Sequence, residues 1–454
     1  MKYICTRSKK EYSFFDLMIK CISKKRGLFT FKKFPKVNID KVRKIKKYNK
    51  LFNYIFRKFT TKKEFKKLEV EKISKRVYCS KYFYMKGEEI FTLSKVRTKE
   101  GQFYLYDVST GKTFSFKDVS ISLLSELMEK LLNIKKKKLN ILVSTSGDTG
   151  SSCGYHLKGK KNIKTFVFSP LRGVSEFQGK QMFSITNNNI FNITIKGNFD
   201  DCQETVKDII SRNKNCSTFN SINLIRIICQ SVYYFRCFYL INKLFNCKEL
   251  VFSIPTGNFG NSYSAYLAYK MGLPIKNIII VNNENDSCFR LLKHGNIKVK
   301  NLKKTNSPSM DILIPSNIER YLFEILSKKE FSKYIRNLER KKEQKLKLKK
   351  TIFKSYKCNN NERNKVIYNL KGKYIDTHTA SSIIPLSSID LFKNTIVCIE
   401  TAKYFKFKDL IRKGSFPNKK IRVIESLKKK RSKTYTFNKK DKTKINNFFK
   451  SNSF

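Results

Sequence analysis

From Tyr104 onward the sequence alternates short apolar runs with longer amphipathic stretches, and no other feature limits the possible folds as strongly. Uninterrupted apolar runs are typical of strands buried on both faces, and apolar residues three or four positions apart are typical of helices. The predicted strands are Ile141–Val143, Phe166–Phe168, Phe191–Ile195, Val251–Ile254, Ile278–Val281 and Ile396–Ile399. The predicted helices are Val119–Leu132, Cys202–Ile210, Ile222–Phe245 and Ser262–Met271. The alternation predicts an α/β fold in which helices cover both faces of a parallel sheet.

The two flanks of this region differ from it in composition. The N-terminal stretch mixes apolar patches with lysine runs, and before a turn at Gly27 it contains a helical repeat of Phe14, Leu17, Met18 and Ile22. The charged segment Lys328–Lys365 predicts a solvated helix or a mobile insertion, and the lysine- and asparagine-rich end predicts a frayed tail. We therefore expect an N-terminal domain at 1–95, an α/β region at 96–415, and a basic tail at 416–454; the division of the middle region into two interleaved α/β domains depends on a family resemblance described below.

The net charge of +62 raises the hypothesis of a nucleic-acid-binding protein, because clustered lysine and arginine bind phosphate backbones. However, lysine is far more abundant than arginine, and arginine is the residue that base recognition favours. The lysines also occur in nearly every segment, so they form no single basic stripe. Lys, Asn, Ile, Phe and Tyr, which have AT-rich codons, are all abundant. We attribute the charge to base composition and expect no specific nucleic-acid partner, with non-specific adhesion as a side effect.

The cysteines and the apolar segments bear on the compartment. The twelve cysteines show no repeated Cys-x-x-Cys spacing, so we predict no metal site and expect reduced thiols in a cytoplasm. The opening residues MKYICTRSKKEY lack the apolar core of a signal peptide, although composition leaves a plastid address open. No apolar run reaches the roughly 18 residues that a membrane span needs. We expect no membrane partner, and the sequence leaves a monomer or a homodimer open.

One predicted strand is joined to the next helix by a glycine-bearing turn, Ile254-Pro255-Thr256-Gly257-Asn258-Phe259-Gly260-Asn261. Glycine lets the backbone approach a ligand closely, and amides at a helix start bind anions. Open α/β sheets bind ligands at the carboxyl ends of their strands, which is where this turn lies. On its own such a turn is more often a plain connection; as a ligand site, it predicts phosphate binding.

A second loop, which follows the strand Ile141–Val143, is rich in hydroxyls and glycines: Ser144-Thr145-Ser146-Gly147-Asp148-Thr149-Gly150-Ser151-Ser152. Hydroxyls and amides at a helix start suit an anionic group such as a substrate carboxylate. A polar loop with an N-cap is an equally good interpretation of this segment alone.

A third segment places a lysine directly before an apolar helix: Gly111-Lys112-Thr113-Phe114-Ser115-Phe116-Lys117-Asp118. Its GKT triplet resembles the end of a P-loop, but that motif requires glycine at the position of Tyr106, so we reject this interpretation. A partly desolvated lysine has a lowered pKa and can form an imine, which makes Lys117 a candidate nucleophile. Among 97 Lys and Arg residues, Lys117 carries no signal by itself.

Together and in this order, the three segments resemble the signature regions of the threonine synthase family, whose members are fold-type II pyridoxal-phosphate (PLP) enzymes. Further matching segments extend the resemblance from the start to about Lys408: Tyr12–Phe14, Gly27–Phe29, Phe219–Asn223, Met271–Ile275, Asn283–Asp286 and Ser309–Ile312. The resemblance implies a tryptophan synthase β-like fold, with two α/β domains, an N-terminal segment and the cofactor in the cleft between the domains.

The resemblance also implies a reaction and a set of site residues. Threonine synthases are carbon–oxygen lyases that convert O-phospho-L-homoserine and water into L-threonine and phosphate, the last step of threonine biosynthesis, with PLP as the electron sink. By this resemblance Lys117 holds PLP as a Schiff base and acts as a general base. The PLP phosphate is held by Gly257, Asn258, Phe259, Gly260 and Asn261, and the hydroxyl of Thr401 lies against the pyridine nitrogen. The implied substrate contacts are Ser146, Asp148, Thr149 and Arg226; His378 is either a proton-transfer residue or a packed one.

Several positions depart from the family pattern. Before the lysine, Thr110-Gly111-Lys112-Thr113 replaces the family's His-Gly-Pro-Thr, and Asn261 replaces the Asp that follows the phosphate turn. Arg172-Gly173 reverses a Gly-basic pair, and Glu176 replaces a proline. Toward the C-terminal end, Asp376-Thr377-His378 replaces Glu-Pro-His, and Thr401-Ala402-Lys403 replaces Thr-Ala-His. These changes leave the cofactor residues largely in place but affect the expected contacts to the substrate phosphate. The alternatives are therefore another fold-type II PLP phospho-lyase or dehydratase and, from a different class, a non-catalytic basic nucleic-acid-binding protein.

Overall fold

The structure is a computed structural model of the 454-residue chain. It describes residues 1–23, 26–340, 343–348, 351–370, 372–411 and 422–454. The predicted boundary at 415/416 lies outside the described residues, as do positions 341–342 and 349–350 of the predicted insertion.

The elements below are those of the described residues. The strands are β1 (Tyr3–Cys5), β2 (Ser8–Tyr12), β3 (Phe29–Phe31), β4 (Thr92–Thr98), β5 (Gly101–Asp107), β6 (Leu139–Ser144), β7 (Ile163–Pro170), β8 (Ile190–Lys196), β9 (Cys216–Ser217), β10 (Leu250–Pro255), β11 (Ile275–Asn282), β12 (Asn296–Ile297), β13 (Gln344–Lys345), β14 (Phe353–Lys357), β15 (Ile396–Glu400) and β16 (Tyr435–Asn438). The helices are α1 (Phe14–Lys20), α2 (Ile39–Lys44), α3 (Tyr48–Phe56), α4 (Lys62–Lys67), α5 (Val70–Val77), α6 (Lys117–Lys135), α7 (Asp148–Leu157), α8 (Glu176–Phe183), α9 (Phe199–Arg212), α10 (Leu224–Leu244), α11 (Gly260–Lys270), α12 (Ser287–His294), α13 (Ile318–Ile325), α14 (Lys328–Glu339), α15 (Asn360–Asn369), α16 (Thr377–Ile383), α17 (Arg422–Lys428) and α18 (Lys442–Asn452). Short 3-10 helices occur at Arg57–Phe59, Pro308–Met310, Ile384–Ser388 and Tyr404–Leu410.

Two large sheets form the scaffold. The first has the strand order β14-β11-β10-β15-β5-β4, in which only the pair β4/β5 is antiparallel. The second has the order β16-β8-β7-β6-β9, and all of its pairs are parallel. Each predicted strand lies within an observed one, because most of its side chains are buried on both faces of a sheet. The predicted α/β fold with parallel-rich sheets is confirmed.

The predicted helices form as α6, α9, α10 and α11, and three of them pack together: α10 contacts both α6 and α11. Among the described residues, α10 is the helix that is long and apolar enough to cross a membrane, yet 94% of its apolar window is buried inside the fold. A helix that is apolar on all sides and covered by protein is typical of the core of a large domain.

The N-terminal residues form the antiparallel sheet β2-β1-β3 and helices α1 to α5. Helix α1 begins at Phe14, after the N-cap Ser13, but it ends at Lys20. The inclusion of Ile22 in this helix was wrong, because the chain has already turned and Ile22 pairs with Leu28 in an antiparallel bridge. The domain division at 95/96 stays a prediction, and strand β4 crosses that position.

The segment Lys328–Lys365 begins with a largely exposed helix, α14, as one of its two interpretations had it. Strand β14, which the sequence did not predict, also lies within it and pairs in parallel with β11 as the edge strand of the first sheet. At its start Phe353 packs edge-on against Tyr321, with 5.1 Å between the ring centroids. Arg363, in α15, is fully buried. The strand was missed because an edge strand has apolar side chains mainly on one face, and charged residues occupy the alternate positions.

The C-terminal residues from Arg422 onward pack on the second sheet, so the prediction of a frayed tail was wrong. Strand β16 pairs in parallel with β8 at the edge of that sheet. In α18, Ile445 and Phe449 are both 2% exposed, and Phe449 packs against Phe166 with 4.9 Å between ring centroids. These two apolar residues are four positions apart and share one helix face, a pattern that the surrounding lysines concealed.

Candidate active site

Loops from both large sheets line one cavity, at the carboxyl ends of β6, β10 and β15. Parallel sheets bind ligands in this place because the loops that follow their strands converge there. The lining includes every residue to which the family resemblance assigned a role in binding or catalysis: Lys117, Ser146, Asp148, Thr149, Arg226, Gly257, Asn258, Phe259, Gly260, Asn261, His378 and Thr401. The fold thus brings together three segments that are far apart in the sequence, while the individual roles of these residues stay predictions.

Lys117 begins α6 at the end of a turn that buried hydrogen bonds hold in place. Asp118 accepts hydrogen bonds from the amide and hydroxyl of Thr113, at 2.8 and 2.6 Å, and from Ser152 Oγ at 2.7 Å. Glycine is required at Gly111, because a Cβ there would lie 2.3 Å from the Cβ of Asp118. Asp118 was missed as a site residue, although it stands next to Lys117; its function is to fix the turn.

The chain after β15 supports the same turn from behind. The amide of Phe116 donates to Thr401 O at 2.9 Å, and the amide of Lys403 donates to Phe114 O at 3.3 Å. Phe114 has a φ of 59°, so the turn contains a left-handed residue that costs conformational energy and that these bonds help to hold. The position of Lys117 therefore depends on a segment almost three hundred residues later in the chain.

The Lys117 ammonium lies in a nearly buried position, with its side chain 14% exposed. Its Nζ is 3.0 Å from Asp148 Oδ2 and 4.5 Å from the centroid of the Phe116 ring. Burial lowers the pKa of Lys117, and the positive charge of Arg226 adds to this effect, while Asp148 opposes it. A lowered pKa increases the fraction of neutral amine, which is the form that attacks a carbonyl.

The Asp148 carboxylate is held at both oxygens. Its Oδ1 lies 2.6 Å from Lys406 Nζ and accepts a hydrogen bond from Gln178 Nε2 at 2.7 Å, while Oδ2 faces Lys117. Burial alone would raise the pKa of Asp148, but Lys117 and Lys406 hold it well below the usual range of a carboxyl group. Sequence reasoning missed Lys406 and Gln178, because one more lysine has no signal in this composition and Gln178 follows a segment that departs from the family pattern.

The glycine turn after β10 presents unpartnered backbone donors to the cavity. Helix α11 begins at Gly260, after the left-handed Phe259 with its φ of 59°. Within the described part of the chain, the amides of residues 257–262 have no hydrogen-bond acceptor. A Cβ at Gly257 would lie 2.9 Å from Met310 Cα, so glycine allows the turn to pack on the following loop. Free amides at a helix start, reinforced by the helix dipole, suit a phosphate group.

The asparagine side chains of the same turn hydrogen-bond to neighbouring residues and brace the turn. Asn258 Nδ2 donates to Ser221 Oγ at 2.6 Å. Asn261 Oδ1 accepts from Tyr234 Oη at 2.7 Å and also from the hydroxyl of Tyr233. Among the described residues, Asn261 Nδ2 has no partner. Any contribution of Asn258 to phosphate binding would therefore come from its backbone amide.

The hydroxyl-rich loop after β6 forms a second helix start at the cavity. Gly147, with a φ of 135°, directly precedes α7 and adopts a conformation that other residues rarely reach. Thr145 Oγ1 accepts hydrogen bonds from the amides of Gly147 and Gly150, at 2.9 and 3.0 Å. The side chains of Ser146 and Thr149 line the cavity on this side. The loop is suited to bind an anionic group through hydroxyls and helix-start amides.

Arg226 provides a buried positive charge in the cavity lining. Its Nε donates to Ser120 Oγ at 3.2 Å and its Nη1 to Phe219 O at 2.8 Å. Burial lowers its pKa to about 10, so the guanidinium stays charged at neutral pH. Thr401, at the end of β15, also lines the cavity and is 5% exposed. By contrast, Arg172 is exposed and is outside the cavity lining.

His378 is a packed residue in this structure. Its Nε2 accepts the backbone amide of Ser309 at 3.2 Å, and its Nδ1 lies 2.8 Å from Asp376 Oδ1. Since a backbone amide can only donate, Nε2 is the acceptor nitrogen and Nδ1 carries the hydrogen. Both nitrogens are engaged, so His378 helps to position the loop of Ser309, which packs on Gly257. His378 also lines the cavity, and the choice between a proton-transfer residue and a packed one stays a prediction.

Two parallel-rich sheets, with a lysine at a helix start and a glycine turn facing one cavity between them, define this chain as a fold-type II PLP-dependent enzyme. The family model described as "Threonine synthase N terminus" matches residues 2–78. The threonine synthase of Methylobacillus glycogenes is 35% identical over 341 residues, which cover 72% of this chain and 71% of that protein. The chain belongs to the threonine synthase family.

Solved structures agree with this membership over the full length of the chain. Threonine synthase from yeast superposes with a TM-score of 0.88 at 28% identity, covering 99% of this chain and 98% of the yeast chain. PLP-bound threonine synthase from Brucella melitensis superposes with a TM-score of 0.88 at 26% identity, covering 100% of this chain and 99% of the other. The expected fold class and the expected cofactor, PLP, are confirmed by these relatives.

Proposed function

We propose that this chain converts O-phospho-L-homoserine and water into L-threonine and phosphate, as a PLP-dependent carbon–oxygen lyase acting on phosphate. The observation that carries the proposal is that Lys117 Nζ and the unpartnered amides of 257–260 line the same cavity. This arrangement provides an amine for the PLP aldehyde and a phosphate cradle within one site.

The phosphate of PLP fits the glycine turn. Buried amide donors without acceptors are costly unless a ligand satisfies them, and the start of α11 has such donors at 257–262 among the described residues. Gly257, Asn258, Phe259, Gly260 and Asn261 would hold the phosphate through these amides. The neutral hydroxyl of Thr401 would accompany the pyridine nitrogen without an added charge.

Bound in this cavity, PLP supplies an electron sink for the charge that develops when a proton leaves the substrate. Lys117 Nζ would hold the cofactor and would take one proton from the substrate Cα and one from Cβ. When phosphate has left from Cγ, one of these protons would be returned to Cγ, which becomes the methyl group, and the other to Cα after water has added at Cβ. The hydroxyl of water stays on Cβ and its proton leaves with phosphate, which accounts for both products. A partly desolvated amine with a lowered pKa suits this work, because a larger fraction of it is neutral and able to accept a proton.

The substrate would be held by the remaining polar groups of the cavity. Ser146 and Thr149, at the start of α7, suit its carboxylate, and the buried guanidinium of Arg226 attracts its anionic groups. Asp148 would lie beside Lys117 at the substrate, and its two oxygens already contact the cationic groups of Lys117 and Lys406. This assignment supports a small dianionic amino acid as the substrate.

The test is to give the purified protein, loaded with PLP, O-phospho-L-homoserine and to measure threonine and phosphate together. We expect equal amounts of both products. Phosphate released without threonine would contradict the synthase assignment and favour another fold-type II phospho-lyase or dehydratase. No visible absorbance after PLP addition would instead favour the non-catalytic, basic binding protein.

A lysine substitution tests the assignment of the cofactor residue. Lys117→Ala should abolish the visible absorbance of the PLP adduct and lower the rate of threonine formation by roughly 10²–10⁴-fold or more. Lys137→Ala, an exposed lysine just beyond α6, is the matched control and should leave both unchanged. Equal absorbance in the two variants would indicate that a lysine other than Lys117 holds the cofactor.

The compartment and the assembly belong to the same proposal. All twelve cysteines are free, and eleven of them are buried, which fits a reducing compartment such as the cytoplasm. A monomer or a homodimer is distinguished by light scattering of the same preparation.

A further inference from the structure

Lys406 is a fully buried lysine that the proposed reaction does not use. Its Nζ lies 2.6 Å from Asp148 Oδ1 and donates to Thr113 O at 2.8 Å. Its backbone carbonyl accepts a hydrogen bond from Ser175 Oγ at 2.6 Å. A charged lysine that is buried away from water is tolerated only where an ion pair and hydrogen bonds replace its hydration. Lys406 has both.

The contacts of Lys406 make Asp148 a carboxylate shared by two ammonium groups. Lys406 has the shorter contact, at 2.6 Å, and Lys117 the longer one, at 3.0 Å. Among the described residues, Arg226 also acts electrostatically on Lys117, and His378 acts on Asp148. Two cations that share one carboxylate each receive less stabilisation than either would alone.

We propose that Lys406 is a positioning residue, which fixes Asp148 and competes with Lys117 for its carboxylate so that the Lys117 amine can lose its proton and react. The inference rests on the proposed role of Lys117 as the PLP lysine. Burial, Arg226 and Lys406 all lower the pKa of Lys117, and Asp148 is the group that raises it. Lys406 therefore acts on Lys117 both through its own charge and by occupying one oxygen of Asp148.

The experiment follows the capture of PLP by the cofactor-free protein as a function of pH, with no substrate present. The rate is read from the visible absorbance of the adduct, and borohydride reduction with peptide mass mapping locates the adduct on Lys117. In Lys406→Met, Asp148 pairs with Lys117 alone, which raises the pKa of Lys117. The pH of half-maximal capture should rise by about one unit, so that capture below this pH slows about tenfold.

Three further variants make the result specific. Lys408→Met replaces an exposed lysine two positions away and should leave the profile unchanged. Lys406→Gln keeps donors for Asp148 and Thr113 without the charge, so it should shift the profile upward even if the methionine variant fails to fold. Asp148→Asn removes the stabilising carboxylate and should shift the profile to lower pH. Circular dichroism confirms the fold of each variant.

The possible failures can be told apart. If folded Lys406→Met or Lys406→Gln captures PLP on Lys117 with the profile of the unmodified chain, the inference about Lys406 is overturned and the proposed function is not. If the unmodified chain captures PLP on another lysine, the cofactor assignment and this inference both fail. Neither result depends on whether threonine is formed.

Discussion

Gly257 and Asn261 shape the glycine turn after β10. Gly257 has no side chain, and this absence allows the loop of Met310 to lie against the turn. Asn261 accepts two tyrosine hydroxyls at one oxygen, and its amide nitrogen has no partner among the described residues. Both features help to fix the direction in which the backbone amides of the turn point.

Gly257→Ala should weaken PLP binding, because the new Cβ would lie 2.9 Å from Met310 Cα and force the loop or the turn to move. We expect a dissociation constant for PLP at least about tenfold higher, which corresponds to about 1.4 kcal/mol. Absorbance titration of the cofactor-free protein measures it. Gly179→Ala in α8, where the nearest atom lies 3.5 Å away, is the control. An unchanged constant in Gly257→Ala would show that the turn tolerates the displacement.

Asn261→Leu should destabilise the fold, because it leaves the buried hydroxyls of Tyr233 and Tyr234 without their shared acceptor. The expected loss is about 1–3 kcal/mol in the free energy of unfolding, measured by urea denaturation. Adding Tyr233→Phe to this variant removes one orphaned hydroxyl and should recover part of the loss. A double variant that is less stable by the sum of the two single effects would contradict this explanation.

The C-terminal strand and helix extend the second sheet by one edge strand and cover part of one of its faces. Strand β16 pairs with β8, and α18 covers the face on which Phe166 lies. Ile445 and Phe449 of α18 are buried there, so the C-terminal residues stabilise the sheet by burying apolar surface.

Phe449→Ala should cost about 3–5 kcal/mol in the free energy of unfolding, because a phenylalanine that is 2% exposed leaves a cavity in a packed cluster. Phe392→Ala is the matched control: its side chain is 83% exposed, and the same truncation should change stability by less than about 0.5 kcal/mol. Urea denaturation of both variants gives the comparison. Similar losses for the two would mean that α18 does not contribute to the folded core.

The elements and turns that could be predicted from the sequence are those whose residue types form a continuous pattern along the chain. Buried strands such as β6, β7 and β10 were found because apolar residues fill them on both faces, and the glycine turns were found because their residue types have few other uses. Edge strands β14 and β16 were missed, since charged residues occupy their exposed face. Lys406 was missed for another reason: its role comes from burial beside Asp148, and burial of a single lysine leaves no mark in a sequence so rich in lysine.

A net charge of +62 on a folded chain of 454 residues implies strong self-repulsion. Surface ion pairs offset some of it, but lysine and arginine outnumber aspartate and glutamate by 97 to 35. Net charge of this size keeps a protein soluble and attracts polyanions, while it opposes the compact state.

Added salt should therefore stabilise this protein. Raising sodium chloride from about 0.01 M to about 1 M shortens the Debye length from about 30 Å to about 3 Å, which screens repulsion between surface lysines. We expect the thermal unfolding midpoint to rise by several degrees, as measured by calorimetry. Glycine betaine at matched osmolality, which does not screen charge, is the control for effects of excluded solute. A midpoint that falls with salt would mean that attractive ion pairs outweigh the repulsion.

Strand β15 lies between β10 and β5 in the first sheet, although it comes well over a hundred residues after β10 in the chain. While the protein is being synthesised, the ribosome delivers β5 and β10 long before the strand that joins them. The segment that holds the Lys117 turn, beginning at Thr401, emerges later still. The first sheet therefore cannot reach its final strand order, and the cofactor pocket cannot gain its full lining, until residues 396–401 have left the ribosome.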